Sequence, residues 1–451
     1  ARAEFWCDEE AFVDGKALDR CEFCAPGYCC PPPGPCSLDN QCVGERTGVL
    51  CGDCVAHHSV AIGGTGCLDE SGGCKAAAWL IPLICVASGA LVVAAVLMFR
   101  PMESVTGKRA SFRLVVSSQE ILVFFYQIAP LVSVSLNLGY AASGLVKIVA
   151  GAFNLDAGAV NGDGSHASGV CFLPGMTSVS KAALSYGLPM LMVAWTAVLA
   201  VVNFARYRVR ERLGRRQNQH TTPCRWGQGV VDAWLLALSL GYSTLLKTTF
   251  ALLHCVQVQD RGSRLLIAGA VECFTPWQAG LFAIVVLLAL YPLAFALWLS
   301  HQLNSHTLKG SAVEYIVVHY AESRRLWPAV IVAEKLVLVL VDSFVPMRGR
   351  PWALFFLLMA LIALHLVMKP YSDSRHNALD LLCLCLLLTL AAFNTSGTLF
   401  ILERMDDIDT KIAPFALAAT AVSLAPIFLT VTIPFWPELS TFSWPAAVSV
   451  R

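Results

Sequence analysis

Nine long apolar windows set what this chain can fold into. They cover 77–99, 115–138, 182–205, 229–254, 277–300, 326–345, 352–368, 378–399 and 412–435. An α-helix crosses a bilayer in roughly 17–25 residues. The hydrocarbon core offers no hydrogen-bonding solvent, so such windows must be helices or strands of a closed barrel. Barrel strands alternate polar and apolar side chains, and these windows do not. The sequence therefore predicts an all-α polytopic membrane protein with about nine transmembrane helices. Composition points the same way. Hydrophobic residues make up 56% and charged residues 14%, against about 25% charged in soluble domains. Soluble enzymes and disordered chains are excluded on that ground. The formal net charge of +1 lacks the basic excess of a nucleic-acid binder.

The first 75 residues differ from the rest. Eleven of the 18 cysteines lie there, with Pro31, Pro32, Pro33 and Pro35. The predicted organisation is a Cys-rich domain over 1–75, a helical membrane domain over 76–437 and a tail over 438–451. The chain begins with Ala1 rather than Met, which reads as a piece of a longer precursor. The segment 140–155 is too broken to span and reads as a short helix at the outer interface.

Charge gives the direction. With the Cys-rich end outside, the inner connections carry 17 Lys and Arg and the outer ones 8. Basic excess belongs in the cytoplasm. The N-terminus is therefore expected outside and the C-terminus inside, at a plasma or flagellar membrane. The run Arg206, Arg208, Arg210, Arg212, Arg215, Arg216 is the strongest single signal. It reads first as a topology determinant and second as a contact for anionic lipid.

Ten cysteines form the N-terminal framework: Cys21, Cys24, Cys29, Cys30, Cys36, Cys42, Cys51, Cys54, Cys67 and Cys74. A segment this small buries too little apolar surface to fold unaided, and bridges restrain its unfolded chain. Five bridges would use all ten, with connectivity open. Cys7 is left over, to pair with Cys171 or with a segment beyond this sequence. Zinc is the rival reading, through Cys21/Cys24 and Cys51/Cys54 with His57 and His58 near; it strands the other six cysteines. Cys255 and Cys273 flank one outer loop and are expected to clip it. Cys85, Cys383 and Cys385 read as apolar packing.

Cys42-Val-Gly-Glu-Arg-Thr-Gly-Val-Leu-Cys51-Gly-Asp-Cys54, followed by Cys67 and Cys74, resembles the ephrin-receptor-like Cys-rich repeat. The membrane part resembles the TRP-like C-terminal regions of large surface proteins in algae and other protists. The matching pieces are Gln127, Asn154-Leu155, Cys171, Thr249-Phe250, Cys255, Cys273, Tyr291-Pro292, Trp327, Glu334-Lys335-Leu336, Lys369-Pro370-Tyr371 and Asn377. Pro328 stands where that family usually has an acid. The resemblance implies a TRP-like helical fold. Its partners would be the bilayer, an extracellular fibre or glycoprotein, and a polycystin-like channel neighbour.

Charges inside the windows are few. Those singled out are Glu120, Asp232, Lys247, Glu334, Lys335 and Asp342, with His365 besides. Such groups are costly at mid-depth and persist when paired or facing water. Lys247 and Glu334 lie near mid-span. Together they read as a structural ion pair, or as part of a cation or proton path. Glu403, Asp406, Asp407 and Asp409 lie in the last outer loop and would attract cations at a pore mouth, though the plainer reading is a solvated loop. No HExxH, GxSxG, Walker A or GxGxxG pattern occurs. The chain is expected to be no enzyme and to need no cofactor or metal. Three functions follow in order: the membrane-anchoring module of a large cell-surface protein, a TRP-like cation channel or channel subunit, and a receptor whose Cys-rich domain binds a ligand.

Overall fold

The computed structural model describes residues 5–7, 21–25, 28–29, 42–62, 66–71, 74, 83, 86, 89, 109–133, 171, 173–212, 224–258, 261–304, 317–345, 349–402, 421–422, 424–426 and 428–429. Eight α-helices carry most of them. We number these α1 (Arg109–Ser133), α2 (Ser178–Leu184), α3 (Gly187–Arg212), α4 (Cys224–Leu253), α5 (Pro276–Asn304), α6 (Trp327–Phe344), α7 (Arg350–Met368) and α8 (Ser374–Leu402).

Among the described residues, four helices are long and apolar enough to cross a membrane by length and composition. They are Ser178–Leu199, Pro276–Asn304, Arg350–Met368 and Ser374–Phe393. Their exposed faces are apolar as well. On α5, Val286, Leu287, Leu290, Leu293 and Leu297 all stand out to the exterior, and on α7 Val367 is 79% exposed. Water would not tolerate so large a contiguous patch, whereas lipid covers it. This is the surface of a membrane protein. The windows at 115–138, 229–254 and 326–345 also hold helices (α1, α4 and α6). Most of the windows 77–99 and 412–435 lies outside the described residues, as do 140–155 and the tail. The window 182–205 differs in detail. Its helix breaks between α2 and α3, and α3 runs on through Arg206, Arg208, Arg210 and Arg212.

The chain divides into two compact units. The first comprises 1–101, 137–314 and 329–345. It holds the Cys-rich domain, α2 to α5 and most of α6. The domain consists of short antiparallel pairs: β1 (Phe5–Cys7) with β2 (Cys21–Phe23), β3 (Arg46–Thr47) with β4 (Asp53–Cys54), and β5 (His58–Val60) with β6 (Cys67–Asp69). The loop after α4 is more than a plain clipped loop. It is a three-stranded antiparallel sheet of β7 (Cys255–Val258), β8 (Gly262–Leu265) and β9 (Ala268–Glu272). The fold is therefore mostly helical, with β-structure in the cap and in this loop.

The second unit comprises 102–136, 315–328 and 346–451. On α7 the buried residues are Pro351, Leu354, Leu358, Leu361 and His365. That three-four spacing is one helical stripe. It meets the buried stripe of α8, which runs through His376, Asp380, Cys383 and Leu387. Between 121 and 132, α1 is buried or half-buried on all sides, as befits a helix that is hydrophobic all round.

Candidate functional sites: a cysteine-rich cap and a buried histidine cluster

The cap begins with its bridges. Cys24–Cys29, Cys42–Cys51 and Cys54–Cys67 are bonded, with Cα atoms 6.0, 5.4 and 5.8 Å apart. Cys74 departs from the expectation of five bridges within the framework. It joins Cys171, 97 positions onward, at a Cα distance of 4.5 Å. Cys171 is therefore not the partner of Cys7, which lies opposite Cys21 in the β1–β2 register. The physical reason is spatial. The 171–178 segment runs along the domain edge and ends as the start of α2. The sulfurs of Cys24, Cys29 and Cys51 lie within 4.8 Å of one another, but all three are consumed in bridges. The two CxxC pairs are likewise divided, with Cys51 and Cys54 bonded to different partners.

Hydrogen bonds extend the attachment at Cys171. Val60 N–H donates to the Met176 carbonyl at 2.9 Å. Gly175 N–H donates to Glu70 Oε1 at 2.8 Å, and Ser59 Oγ donates to the same oxygen at 2.6 Å. These two donors hold the Glu70 carboxyl below its ordinary pKa. Thr177 caps α2 by accepting from Ser180 N–H, and Ser178 Oγ donates to the Gly52 carbonyl at 2.8 Å.

A second attachment runs through the sheet after α4. The core of Cys24, Ala25, Tyr28, Cys29 and Cys51 packs against Leu266 and Ile267. The backbones approach so closely that only glycine fits. A Cβ at Gly52 would lie 2.5 Å from Gly269 N, and one at Gly269 would lie 2.1 Å from the Val49 carbonyl oxygen. Arg46 is buried in this core. Its guanidinium stacks on Tyr28 at 3.5 Å and donates to the Cys51 carbonyl at 3.0 Å. Burial pushes the Asp53 carboxyl up, against the opposing pull of Arg46. Beneath the sheet, Cys255–Cys273 closes the strands at a Cα distance of 6.2 Å. Buried Gln278 fastens the helix ends. Its Oε1 accepts from Phe274 N–H, and its Nε2 donates to the Leu252 carbonyl at 3.2 Å. That carbonyl belongs to the last turn of α4, which has no helical donor of its own.

Lower in the same unit, Pro292 interrupts the hydrogen-bond ladder of α5. Proline has no N–H, so the carbonyl four residues earlier loses its partner. Tyr242 of α4 donates to that Leu288 carbonyl at 2.7 Å, and Tyr291 OH lies 3.2 Å from Ser239 Oγ. Lys247 is half-buried on α4, while Glu334 and Lys335 are buried on α6. None of the three stands without partners. Their spacing places Glu334 and Lys335 on the buried stripe with Trp327, Ile331 and Leu338. Glu403, Asp406, Asp407 and Asp409 lie outside the described residues.

The second unit gathers its polar groups in one place. His365 Nδ1 bonds Asp380 Oδ2, and the edge of His365 meets Trp327 at a centroid distance of 5.1 Å. His319 Nε2 lies 2.7 Å from Glu120 Oε2. His319, Tyr320 and Tyr371 form a ring cluster, with Tyr320 and Tyr371 stacked at 5.1 Å. Burial raises the Tyr320 phenol well above its ordinary pKa, so it remains protonated. The turn from α7 to α8 is built by Lys369 in the left-handed region and by Asn377. The Asn377 side chain accepts from Tyr371 N–H at 3.0 Å and donates to the Tyr371 carbonyl at 2.8 Å. Ala321 N–H donates to the Pro370 carbonyl, and Ser372 N–H donates to the His319 carbonyl. Sequence reasoning singled out Glu120 and His365 but not Asp380 or His319. Asp380 had a signal: it is an acid just inside the window 378–399, across a short turn from His365.

No family model, no curated protein and no solved structure matches the chain.

Proposed function

We propose that this chain is the membrane-anchoring module of a cell-surface protein. All nine windows span, the Cys-rich cap lies outside and the tail lies inside. The cap transmits tension from an extracellular assembly, for which a surface or flagellar fibre is the candidate, into the helices. One observation carries this reading: beyond its own chain, the cap is attached at two places. The Cys74–Cys171 bridge ties it to the segment that leads into α2, and the Gly52–Gly269 contact seats it on the sheet between α4 and α5. A flexible tether would need neither. Disulfides suit an oxidising exterior, and the distribution of basic residues supports the same orientation.

Single-molecule pulling on the N-terminus of bilayer-embedded protein tests the proposal. The cap should withstand higher force in the native protein than in Cys171→Ser. Equal rupture forces would sink the mechanical role.

A cation channel is the second reading, favoured by buried Glu334 and Lys335. Planar-bilayer recording of intact, verified protein separates the two. Unitary currents would support the channel, and silence would remove it.

A further inference from the structure

Where α4 ends, α5 begins and α6 ends, the first unit has an apolar cleft of about 250 Å³. We propose that it holds the acyl chain of a bilayer lipid. The walls are largely hydrocarbon: Phe250, Leu253, Phe274, Phe282 and Phe344. Gln278, His254 and Ser343 also line it; the Gln278 amide is engaged by Phe274 N–H and the Leu252 carbonyl, and His254 has a partner of its own. With five of its nine lining residues apolar or aromatic hydrocarbon, the cleft recognises an apolar chain mainly by shape and dispersion.

Two further observations point to lipid as the occupant. First, the cleft is continuous with the lipid-facing surface. Phe282 begins an exposed stripe on α5 that continues through Val286, Leu290, Leu293 and Leu297 at helical spacing. What covers that stripe in a membrane is acyl chain, and the cleft opens at its upper end. Second, Phe274 is held in an uncommon backbone conformation. Its φ is +62°, a genuine outlier for a bulky side chain. Cys273, bonded to Cys255, fixes it from one side, and Gln278 fixes its N–H from the other. The result is an aromatic ring 74% exposed beside the cleft. Strain kept at one place by its surroundings marks a position with a task. Here the ring stands at helix-end depth, where hydrocarbon meets glycerol. Phe344 stands on the opposite side, 67% exposed, with its ring 5.1 Å from that of Phe250. The inference requires only that α5 lies in a bilayer. It is independent of whether the protein anchors or conducts.

Photolabelling decides it. The full chain is placed in vesicles of phosphatidylcholine containing a phosphatidylcholine with a diazirine on one acyl chain. After irradiation, adducts are mapped by peptide mass spectrometry. The cleft residues 250–255, 274–282 and 343–344 should carry several times more label than the more exposed stripe residues Val286, Leu287, Leu290, Leu293 and Leu297. Label in proportion to exposure, heavier on the stripe than in the cleft, would mean annular lipid only and would overturn the proposal. Phe344→Ala should lower cleft label severalfold and leave stripe label unchanged. Unchanged cleft label in that variant would overturn it too. If the variant fails to fold, the native ratio of cleft to stripe label decides alone.

Discussion

Pro292 and Tyr242 show how single residues settle a polar group inside lipid. The Leu288 carbonyl has lost its helical donor, and one phenol replaces it. Tyr242→Phe should destabilise the protein by about 1–3 kcal/mol, the cost of a buried acceptor left unmade. Membrane-embedded hydrogen bonds often measure nearer the lower end. Pro292→Ala restores the N–H, so Tyr242→Phe should cost little in that background. A double-mutant cycle on unfolding in mixed micelles measures the coupling, and additive effects would refute the pairing. Glu70 supplies a second residue-scale test. Its carboxyl accepts from Ser59 and Gly175 and titrates below the ordinary glutamate value of 4.5. This contribution is intact above that value and is lost as pH falls through the lowered one. The protection of the Gly175 amide, the intrinsic exchange rate divided by the observed one at each pH, should therefore fall on acidification. In Glu70→Gln the pH-dependent part should vanish.

At the scale of elements, glycines seat the cap and a histidine pair joins two helices. Gly269→Ala forces a methyl against the Val49 carbonyl, where no flexible side chain can move aside. Overpacking of this kind costs about 1–3 kcal/mol. The sheet should separate from the cap, and the bridged cysteines should become easier to reduce and alkylate. On α7 and α8, removing one member of the buried His365–Asp380 pair breaks a hydrogen bond between two buried polar groups. Asp380→Leu alone should cost about 3–5 kcal/mol, and adding His365→Leu should recover most of it. Thermal unfolding of the two variants in detergent measures the difference. These elements were unequally legible in the sequence. The helices in 277–300 and 352–368 declare themselves because apolar side chains cover every face. The sheet over 255–272 does not, because its strands are four or five residues long and Gly262 and Gly269 dilute the pattern. Nor does spacing encode that Cys74 leaves the framework for Cys171. Glu120 and His319 meet across 199 positions, a distance over which no local period operates.

For the whole molecule, the expected direction rests on charge and is open to direct measurement. Trypsin added to sealed, right-side-out vesicles should spare the Arg206–Arg216 run. The same protease should cleave there once the vesicles are opened. Cleavage in sealed vesicles would invert the topology. Hydropathy reveals that the chain enters lipid, because burying so many side chains in water-filled surroundings is impossible. It is silent on which connections meet outside, since those contacts are made by loops of ordinary polarity.

The cap also has a timetable. Its parts are scattered over the chain, from Cys24 to the sheet that ends at Glu272. Cys74 emerges long before Cys171, and Gly52 waits for Gly269. At about 5–20 residues per second, synthesis takes roughly 5–20 s to travel the 97 positions from Cys74 to Cys171. During that interval the thiol of Cys74 is exposed to wrong partners. On the proposed topology, oxidoreductases in the compartment that receives the N-terminus would guide this pairing. Slowing translation between Cys74 and Cys171 should raise the yield of mispaired chains.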